Sequence, residues 1–322
     1  MKAKLTYSQR IEQTLRPKKN KDGPVVIDLF SGCGGLSLGF EAVGYSTIGY
    51  EMDEDACNSY RSNLNGDCLQ VKLTRRFDFP KAEVIIGGPP CQPFSVLGNQ
   101  LGKKDSRNCF PILVSAIEKV RPKIFLIENV KGILFRNENY LRSLINKFKK
   151  LGYTTSWRVL NAKHYEVAQN RERIIIVGIK KSSFAFPNAN KYLVTAGEAL
   201  RGSRREIPKE SKILTKTMDS YILRYEQASN CITPRDLDLD KPARTLTCRN
   251  LVGMTGDMHR IKMANGKRRT LTIREAARLQ SFPDWFTFSG SETSVFNQIG
   301  NAVPPMFSYH LAKSVKYSLM QP

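Results

Sequence analysis

Short apolar runs alternate with amphipathic stretches along the first 180 residues of the chain. The runs are rich in Val and Ile, which is typical of strands that are covered on both faces. These predicted strands cover residues 24–30, 45–51, 83–87, 123–130, 154–160 and 173–179. Apolar residues three or four positions apart predict helices between them, over residues 53–63, 108–120 and 138–151. Strands that alternate with helices favour an α/β fold, with a mostly parallel sheet between two layers of helices.

The pattern weakens after residue 180 and becomes helical again near the end. Short polar stretches dominate residues 181–267, which we call the basic module. Residues 181 to 270 hold 18 Lys and Arg against 9 Asp and Glu, a net charge of +9. Helices are then predicted at 272–281 and 304–319. We therefore divide the chain into a first domain at 1–180, the basic module, and a C-terminal segment at 268–322.

The whole chain is strongly basic, because 51 Lys and Arg against 29 Asp and Glu give a net charge of +22. A charge of this size favours a nucleic-acid partner over a merely solvated surface. The apolar share of 41% can fill a core, which excludes a disordered chain. No stretch approaches the ~18–20 apolar residues of a membrane span, and the first twenty residues contain no apolar signal segment. We expect a cytoplasmic protein that contacts no membrane.

The cysteines form neither a zinc nor a disulfide framework. There are seven of them, an odd number, with no CxxC pair and three histidines in the whole chain. We expect reduced thiols, most of them small core residues, and no bound metal.

A glycine-rich loop from Asp28 to Gly35 follows the first predicted strand and precedes a helix. Such a loop lies at the carboxyl end of its strand, where ligands bind in α/β sheets. Glu51 ends the second strand about twenty residues on, where an acid usually binds ribose hydroxyls. The loop matches neither GxGxxG nor GxxxxGK[ST]. An ordinary strand–helix turn is the alternative, but the pattern favours an adenosine-bearing ligand other than a dinucleotide, with Phe30 available to stack on the adenine.

Cys91 lies in a stiff loop, Gly87-Gly-Pro-Pro-Cys91-Gln-Pro, directly after a predicted strand. This position favours a thiolate nucleophile. A cysteine protease would also need a His–Asx pair, and the contexts of the three histidines show no such role. Glu128 ends the next apolar strand on the same rim of the sheet, either as a strand-end cap or as a catalytic acid. Its nearness to Cys91 in the sheet order favours catalysis.

Six ordered motifs resemble those of the DNA (cytosine-5)-methyltransferases of bacterial restriction–modification systems. The resemblance covers residues 24–179 and 268–319. It implies an S-adenosyl-methionine-dependent methyltransferase domain, Rossmann-like with a mostly parallel sheet. It also implies a small, mostly β and irregular target-recognition domain, which we assign to the basic module. The motifs are DLFSGCGGLSLGF (28–40), GGPPCQPFS (87–95), ENV (128–130), QNRER (169–173), RRTLTIREAARLQSFPDWF (268–286) and QIGNAVPPMFS (298–308).

The resemblance implies a covalent mechanism on a cytosine that is flipped out of double-stranded DNA. Cys91 matches the nucleophile that attacks carbon 6, and Glu128 matches the carboxyl group that bonds ring N3 and the exocyclic amine. Arg171 and Arg173 match the arginines that help hold the target base and the catalytic loop. Carbon 5 would then take the methyl group of S-adenosyl-methionine.

The resemblance also implies the cofactor contacts, with Glu51 on the ribose and Asp67 on the adenine amino group. Two positions depart from the family pattern. Met52 replaces a commoner aromatic residue, and Glu166 stands where many members have glycine. The expected S-adenosyl-methionine contacts are Phe30, Gly32, Glu51, Met52, Asp67, Pro90, Phe110, Asn301 and Val303.

DNA contacts are expected from two regions. Residues 92–108 resemble the mobile loop that closes over DNA, and KPARTLTCRN (241–250) resembles a recurring element of the recognition domain. The expected DNA-binding residues are Ser95, Arg107, Arg244, Thr245, Arg249, His259 and Arg260.

Two other functions remain open at this point. The tRNA-directed branch of the family usually has a smaller recognition region, which disfavours it here. A catalytically silent DNA-binding relative is disfavoured by the intact Cys91, Glu128 and Arg173. The leading prediction is a monomeric, nucleoid-associated DNA methyltransferase whose cognate restriction endonuclease acts on the same site without direct contact.

Overall fold

The computed structural model describes most of the chain, including both sides of the predicted catalytic loop. Three predicted site residues, Cys91, Ser95 and Arg107, lie outside the described residues. The described residues are 5–20, 23–90, 108–180, 182–201, 207–228, 230, 235–253 and 256–321, without the side chains of 135 and 136.

One large sheet organises the described residues. Its seven strands are β1 (Val25–Leu29), β2 (Ser46–Glu51), β3 (Asp67–Gln70), β4 (Val84–Gly87), β5 (Ile124–Val130), β6 (Thr154–Asn161) and β8 (Glu172–Ile179). They are ordered β3-β2-β1-β4-β5-β8-β6. The first five strands in this order, β3, β2, β1, β4 and β5, pair in parallel. β8 pairs antiparallel with both β5 and β6. The predicted α/β fold and all six predicted strands are confirmed.

Two short strand pairs and twelve helices complete the described structure. The pairs are β7 (Gln169–Asn170) with β9 (Ala243–Arg244), and β10 (Arg260–Lys262) with β11 (Arg268–Thr270). The helices are α1 (Tyr7–Thr14), α2 (Gly35–Val43), α3 (Glu54–Asn63), α4 (Phe110–Val120), α5 (Ile133–Arg136), α6 (Glu138–Lys150), α7 (Ala196–Ala199), α8 (Lys216–Ala228), α9 (Cys248–Val252), α10 (Ile273–Leu279), α11 (Glu292–Asn301) and α12 (Pro305–Met320). None of the helices in these residues is long and apolar enough to cross a membrane.

The sheet separates two apolar layers. Successive residues of β1 point to opposite faces, so Val26 joins one layer and Ile27 the other. Each fully buried aliphatic or aromatic side chain contributes about 1.5–3 kcal/mol. The first layer includes Ile11, Phe40, Phe307 and Leu311 from α1, α2 and α12, and the second includes Leu113, Ile117 and Phe148 from α4 and α6.

Helix α12 returns from the end of the chain to pack closely on α2. The Ser308 hydroxyl donates a hydrogen bond to the Leu36 carbonyl. A side chain at Gly39 would overlap Ser308 and Tyr309, so glycine is required for this approach. The contact brings the C-terminal segment to the glycine loop that precedes α2.

The boundaries of the basic module differ from the predicted ones. Phe184, Val194 and Leu200 are buried in the first apolar layer, so residues 182–201 pack with the main domain. The β10–β11 hairpin crosses the predicted division between 267 and 268. The longest regular element of the module is a helix, the 13-residue α8, rather than a strand.

Arg260 is the buried centre of the basic module and not a surface contact. Its side chain is fully buried and forms ion pairs with Glu226 and with Asp236, whose Oδ1 lies 2.7 Å from Nε. It also donates a hydrogen bond of 3.1 Å to the Gly256 carbonyl. The prediction that Arg260 binds DNA is wrong, because its guanidinium is enclosed by protein acceptors.

We expect Arg260→Ala to destabilise the protein by about 3–5 kcal/mol, because it removes the buried counterion of Glu226 and leaves Asp236 with Arg268 alone. Arg249 is an exposed arginine of the same module, so Arg249→Ala is the matched control and should change stability by less than about 0.5 kcal/mol. Urea unfolding of both variants measures the difference. Equal stability of the two variants would refute the buried role of Arg260.

Glu166 adopts a backbone conformation that favours glycine. Its φ is 58°, in the left-handed region, which explains why the family often has glycine there. An ion pair with Arg10, at 3.1 Å from Nε to Oε2, and a hydrogen bond with His310 Nε2, at 3.2 Å from Oε1, hold the side chain. The hydrogen bond to His310, with the charge of Arg10, lowers the pKa of Glu166 although burial opposes this. The departure from the family pattern is therefore stabilised by contacts to α1 and α12.

The lowered pKa gives a pH dependence with a defined sign. The stabilisation by Glu166 is present above its unfolded pKa of about 4.3 and is lost as pH falls through the lower folded value. We expect the wild type to lose more stability than Glu166→Gln as the pH falls from about 5 to about 3. Carboxyl groups titrate in roughly this range. Glu138→Gln removes an exposed pair with Arg142 and serves as the control. Parallel pH profiles of wild type and Glu166→Gln would contradict the assignment.

Candidate active site

The carboxyl ends of the parallel strands bring the main predicted site residues to one rim of the sheet. Phe30 follows β1, Glu51 ends β2, Pro90 follows β4, and Glu128 lies near the end of β5. Because these strands are parallel neighbours, their ends share one edge, where α/β domains bind ligands. The sequence-based expectation of one shared site is consistent with this geometry.

The glycine loop leaves open space beside a fixed carboxylate. Gly32 has φ 53°, and beyond its chain neighbours no atom of the described residues lies within 4 Å of the position that its Cβ would occupy. Its N–H donates a 2.9 Å hydrogen bond to Glu51 Oε2, while Glu51 Oε1 accepts from the N–H groups of Met52 and Asp53. Phe30, with φ 60°, turns the chain into this loop. The loop therefore presents an aromatic ring and an acceptor carboxylate around a gap.

Asp28 is a buried carboxyl group beneath the same loop. It is 1% exposed, and its Oδ2 accepts a 2.7 Å hydrogen bond from the Ser37 hydroxyl. Burial raises the pKa of Asp28 to about 7. Its place inside a buried strand run is the sequence signal for such a group.

Asp67 lies at the wrong end of its strand for the predicted adenine contact. It opens β3 and pairs in register with Ile48, whereas Gln70 pairs with Glu51 at the rim. Three residues of strand place it about 10 Å from the rim. Its side chain is exposed and is bound by Arg61, with 3.1 Å between Oδ1 and Nε. Asp67 therefore forms a surface ion pair, and its position at the amino end of β3 does not favour the adenine contact that the motif match implied.

The other expected cofactor residues differ in exposure. Met52 is 64% exposed and Pro90 is exposed, so both can meet a ligand. Phe110 is fully buried at the start of α4 and packs edge-on against Tyr140, with ring centroids 5.9 Å apart. In this structure the Phe110 side chain packs in the second apolar layer of the core.

The C-terminal segment meets both the glycine loop and the basic module. The Val303 carbonyl packs directly on Gly35, where no Cβ could fit. Asn301, at the end of α11, is exposed, and its Oδ1 lies 3.1 Å from Cys248 Sγ in α9. Val303 therefore contacts the glycine loop after β1, and Asn301 contacts the basic module.

Glu128 is held beside Arg173 with part of its hydrogen-bonding capacity unused. The two residues lie on the neighbouring strands β5 and β8, and Glu128 Oε1 is 2.9 Å from Arg173 Nε. The carboxyl group is nearly buried, and a Cβ at Gly88 would lie 3.5 Å from its Oε2. Among the described residues, Oε1 accepts no hydrogen bond of good geometry. Oε1 is thus buried against Arg173, and Oε2, on the side of Gly88, is the oxygen left to bind a ligand group.

Asn129 fixes the loop that leads to Cys91. Its side chain is 1% exposed and donates a 3.0 Å hydrogen bond from Nδ2 to the Pro89 carbonyl. Its Oδ1 accepts from the Val130 N–H at 2.9 Å. The loop is thus anchored two residues before Cys91. The sequence analysis missed this role, although Asn129 lies within the ENV motif.

Arg171 is a buried connector of three chain segments. The residue is 2% exposed, and its guanidinium donates to the carbonyls of Leu246 at 2.9 Å and Ala302 at 3.0 Å, with longer bonds to Gly300. The contacts described here are to backbone, which differs from the base-holding role that the motif implied. Arg171 therefore positions the segments on both sides of the site.

Two glutamines extend the same buried network. Gln169 accepts a 2.9 Å hydrogen bond from the Leu246 N–H and donates to the Gln280 side chain. Gln280 in turn donates to the carbonyls of Ile299 and Ala302. The sequence analysis identified the QNRER motif but not Gln280, which lies 111 residues from Gln169 and has no local signal.

The expected DNA contacts in the basic module are mostly engaged within the protein. His259 is 2% exposed, and burial with the nearby charge of Arg244 lowers its pKa to about 3, so it remains neutral. Arg244 pairs with Asp257 at 3.2 Å. Thr245 donates a 2.7 Å hydrogen bond to the Asn170 carbonyl. His259 is too buried for the predicted DNA contact, whereas Arg249 is exposed.

Comparison with known proteins agrees with this architecture. The family model for C-5 cytosine-specific DNA methylase matches residues 25–317. The Type II methyltransferase M.AplI of Arthrospira platensis is 48% identical over 99% of this chain and 93% of its own length. The Type II methyltransferase M.NgoFVII of Neisseria gonorrhoeae is 32% identical over 94% of this chain and 88% of its own.

Solved structures share the fold at lower identity. The methyltransferase EhMeth of Entamoeba histolytica is 17% identical, with a TM-score of 0.70 over 94% of this chain and all of its own. A putative DNA modification methyltransferase from an E. coli prophage is 24% identical, with a TM-score of 0.66 over 93% of this chain and all of its own. The family match over nearly the whole chain, with the 48% identical relative, shows that this protein belongs to the C-5 cytosine-specific DNA methylase family.

Proposed function

We propose that this protein transfers the methyl group of S-adenosyl-methionine to carbon 5 of a cytosine within a specific double-stranded DNA sequence. The observation that carries the assignment of the site is the Glu128–Arg173 pair at the rim of the sheet. The pair supports the assignment because a nearly buried carboxyl group, oriented by an arginine, lies on the strand beside β4, whose anchored loop leads to Cys91.

Cys91 acts as the nucleophile in this proposal. Its thiolate adds to carbon 6 of the cytosine, and the electron pair of the 5,6 double bond makes carbon 5 nucleophilic. After carbon 5 is methylated, a base such as water takes its proton, and the electron pair of that C–H bond restores the double bond and expels the Cys91 thiolate. The covalent step divides one difficult reaction into two easier ones. Asn129 supports it by fixing the Pro89 carbonyl, two residues before Cys91 in the chain.

Glu128 and Arg173 hold the target base. Glu128 Oε2, the carboxyl oxygen that is not paired with Arg173, can accept a hydrogen bond from the exocyclic amine of cytosine. A proton held between the carboxyl group and ring N3 would join these two acceptors. Arg173 fixes the orientation of the carboxyl group from the neighbouring strand. A base in a duplex cannot reach this rim, so it must be flipped out, at a cost of a few kcal/mol. The charge of Arg173 compensates the buried carboxylate before the base arrives.

The residues around the glycine loop fit S-adenosyl-methionine. Glu51 Oε2 accepts one hydrogen bond among the described contacts, which leaves a lone pair for a ribose hydroxyl. Phe30 offers an aromatic ring in the same loop as Gly32, and Met52 and Pro90 are exposed just after β2 and β4, the strands that flank β1. The bound cofactor would supply an activated methyl group on its sulfonium centre.

The cellular role follows from the reaction. Methylation of its own target would protect host DNA from a cognate restriction endonuclease that reads the same sequence without touching this protein. One chain carries every predicted site residue, so we expect a monomer, located with the DNA of the nucleoid.

We expect the purified chain to transfer labelled methyl from S-adenosyl-methionine to duplex DNA, and Cys91→Ala to transfer none, because the nucleophile is lost. Duplex DNA containing 5-fluorocytosine should trap the wild type covalently, since fluorine cannot leave as the proton does, and should not trap the variant. Labelling of tRNA in place of DNA would overturn the substrate. A trapped adduct with Cys91→Ala would overturn the nucleophile.

Substitutions at Glu51 and Asp67 are expected to differ in their effect on KM for S-adenosyl-methionine. Glu51→Gln should raise KM for S-adenosyl-methionine by about 10- to 100-fold, because a hydrogen bond to a charged acceptor is weakened. Asp67 lies at the amino end of β3, away from the rim. Asp67→Asn should therefore leave KM for S-adenosyl-methionine within about twofold of the wild-type value, as expected for a surface change away from the site. Steady-state kinetics at saturating DNA measures both. A large effect of Asp67→Asn would restore the original adenine assignment.

A further inference from the structure

We infer that the outer face of α8 in the basic module reads the target sequence in the major groove of DNA. The face consists of Thr217, Ser220, Arg224 and Gln227. This inference rests on the proposed function, because it names the part of the protein that selects the methylated site. It replaces the expected contacts at His259 and Arg260, whose side chains are buried.

The inner face of α8 is firmly anchored, which gives the helix a fixed orientation. Ile222 is 2% exposed and packs with Met218, Leu214 and Met258 in a small apolar cluster. One helical turn further on, the Tyr225 ring lies against the Gly256 backbone so closely that no Cβ could fit there. Residues 218, 222 and 225 lie on one side of a helix with 3.6 residues per turn.

Both acids of α8 also point inward. Asp219 pairs with Arg268 at 3.3 Å, and Glu226 pairs with the buried Arg260. These contacts withdraw the negative charge of the helix from its outer face. The remaining charged residues of α8, Lys216 and Arg224, are cationic and exposed.

The outer face forms a stripe of hydrogen-bonding side chains opposite the anchored side. Thr217, Ser220, Arg224 and Gln227 are all exposed, and they are spaced three or four residues apart, as neighbours on one helix face are. Among the described residues, none of these four side chains has a hydrogen bond or ion pair within the protein. Tyr221, 49% exposed, flanks the stripe.

The chemistry of the stripe suits base edges. Arginine binds guanine O6 and N7 with two hydrogen bonds, glutamine binds adenine N6 and N7, and the hydroxyls of serine and threonine accept or donate. A helix about 10–12 Å wide fits a major groove of about 12 Å. A positive face without carboxylates also matches the charge of the DNA backbone that borders the groove.

Continuous contacts link α8 to the catalytic strand. Arg260, which binds Glu226 of α8, follows His259, whose Nε2 lies 3.5 Å from the Thr245 carbonyl. Thr245 bonds the Asn170 carbonyl, one residue before Arg171 and close to Arg173 on β8. The reading face is therefore part of the same packed unit as the residues that hold the base.

The test is the sequence profile of methylation. Wild type and the variants Arg224→Ala, Arg224→Lys and Gln227→Ala are incubated with S-adenosyl-methionine and a duplex library randomised around cytosine, and methylated positions are read by bisulfite sequencing. We expect each variant to relax the preference at one or two base pairs by about tenfold or more, because a bidentate base contact is lost. Arg224→Lys retains the charge but not the paired hydrogen bonds, so it should relax the same position as Arg224→Ala.

Two controls separate this inference from the competing explanations. Arg76→Ala removes an exposed arginine from the loop between β3 and β4 and should leave the profile unchanged. Arg249→Ala tests the exposed arginine that the sequence analysis favoured. Melting temperatures within a few degrees of wild type show that the variants are folded.

The outcomes are distinct. A wild type that methylates no cytosine in the library would refute the proposed function itself. A wild type with a defined site, and α8 variants with the same site, would refute only the role of α8. Uniformly weaker methylation with an unchanged profile would likewise overturn it, because phosphate contacts carry no sequence information. Relaxation by Arg249→Ala alone would assign the readout to α9.

Discussion

The buried guanidinium of Arg171 joins the three parts of the chain on which the site depends. It donates to Leu246 in the basic module and to Gly300 and Ala302 in the C-terminal segment, while its own backbone precedes β8. Buried carbonyl groups must find donors, and one rigid planar group satisfies several of them here. Arg173, two residues on, reaches Glu128 from a strand whose start is fixed by this connection. The geometry of the base-holding pair is thus set by a residue that need not touch the base.

The strong positive charge of the chain has two different uses. Arg260 and Arg268 neutralise the carboxylates of Asp236, Glu226 and Asp219 inside the basic module. This arrangement costs desolvation energy, and it orients α8 so that its cationic, acid-free face remains outside. A net charge of +22 therefore indicates a polyanionic partner without locating the contact surface.

Local patterns were sufficient for the strands and for the rim of the site. Val- and Ile-rich runs predicted β1, β4, β5 and β8, because strands covered on both faces need such residues throughout. Shorter β-branched and aromatic stretches were enough to predict β2 and the edge strand β6. The order of the parallel strands then places the residues at their carboxyl ends together. The short β3 lacked this signal, and the position of Asp67 at its amino end is set by the pairing of β3 with β2 rather than by the motif.

The sequence by itself determined the fold class, the family and the identity of the chemical groups at the rim, since these depend on short-range periodicity and on ordered motifs. The tertiary structure decided which basic residues are exposed, because burial depends on partners far along the chain. Arg260 and Arg224 are both arginines of the basic module, and their sequence contexts do not distinguish them. Asp236 and Glu226 enclose the first, whereas the second lies on the helix face that these same contacts turn outward.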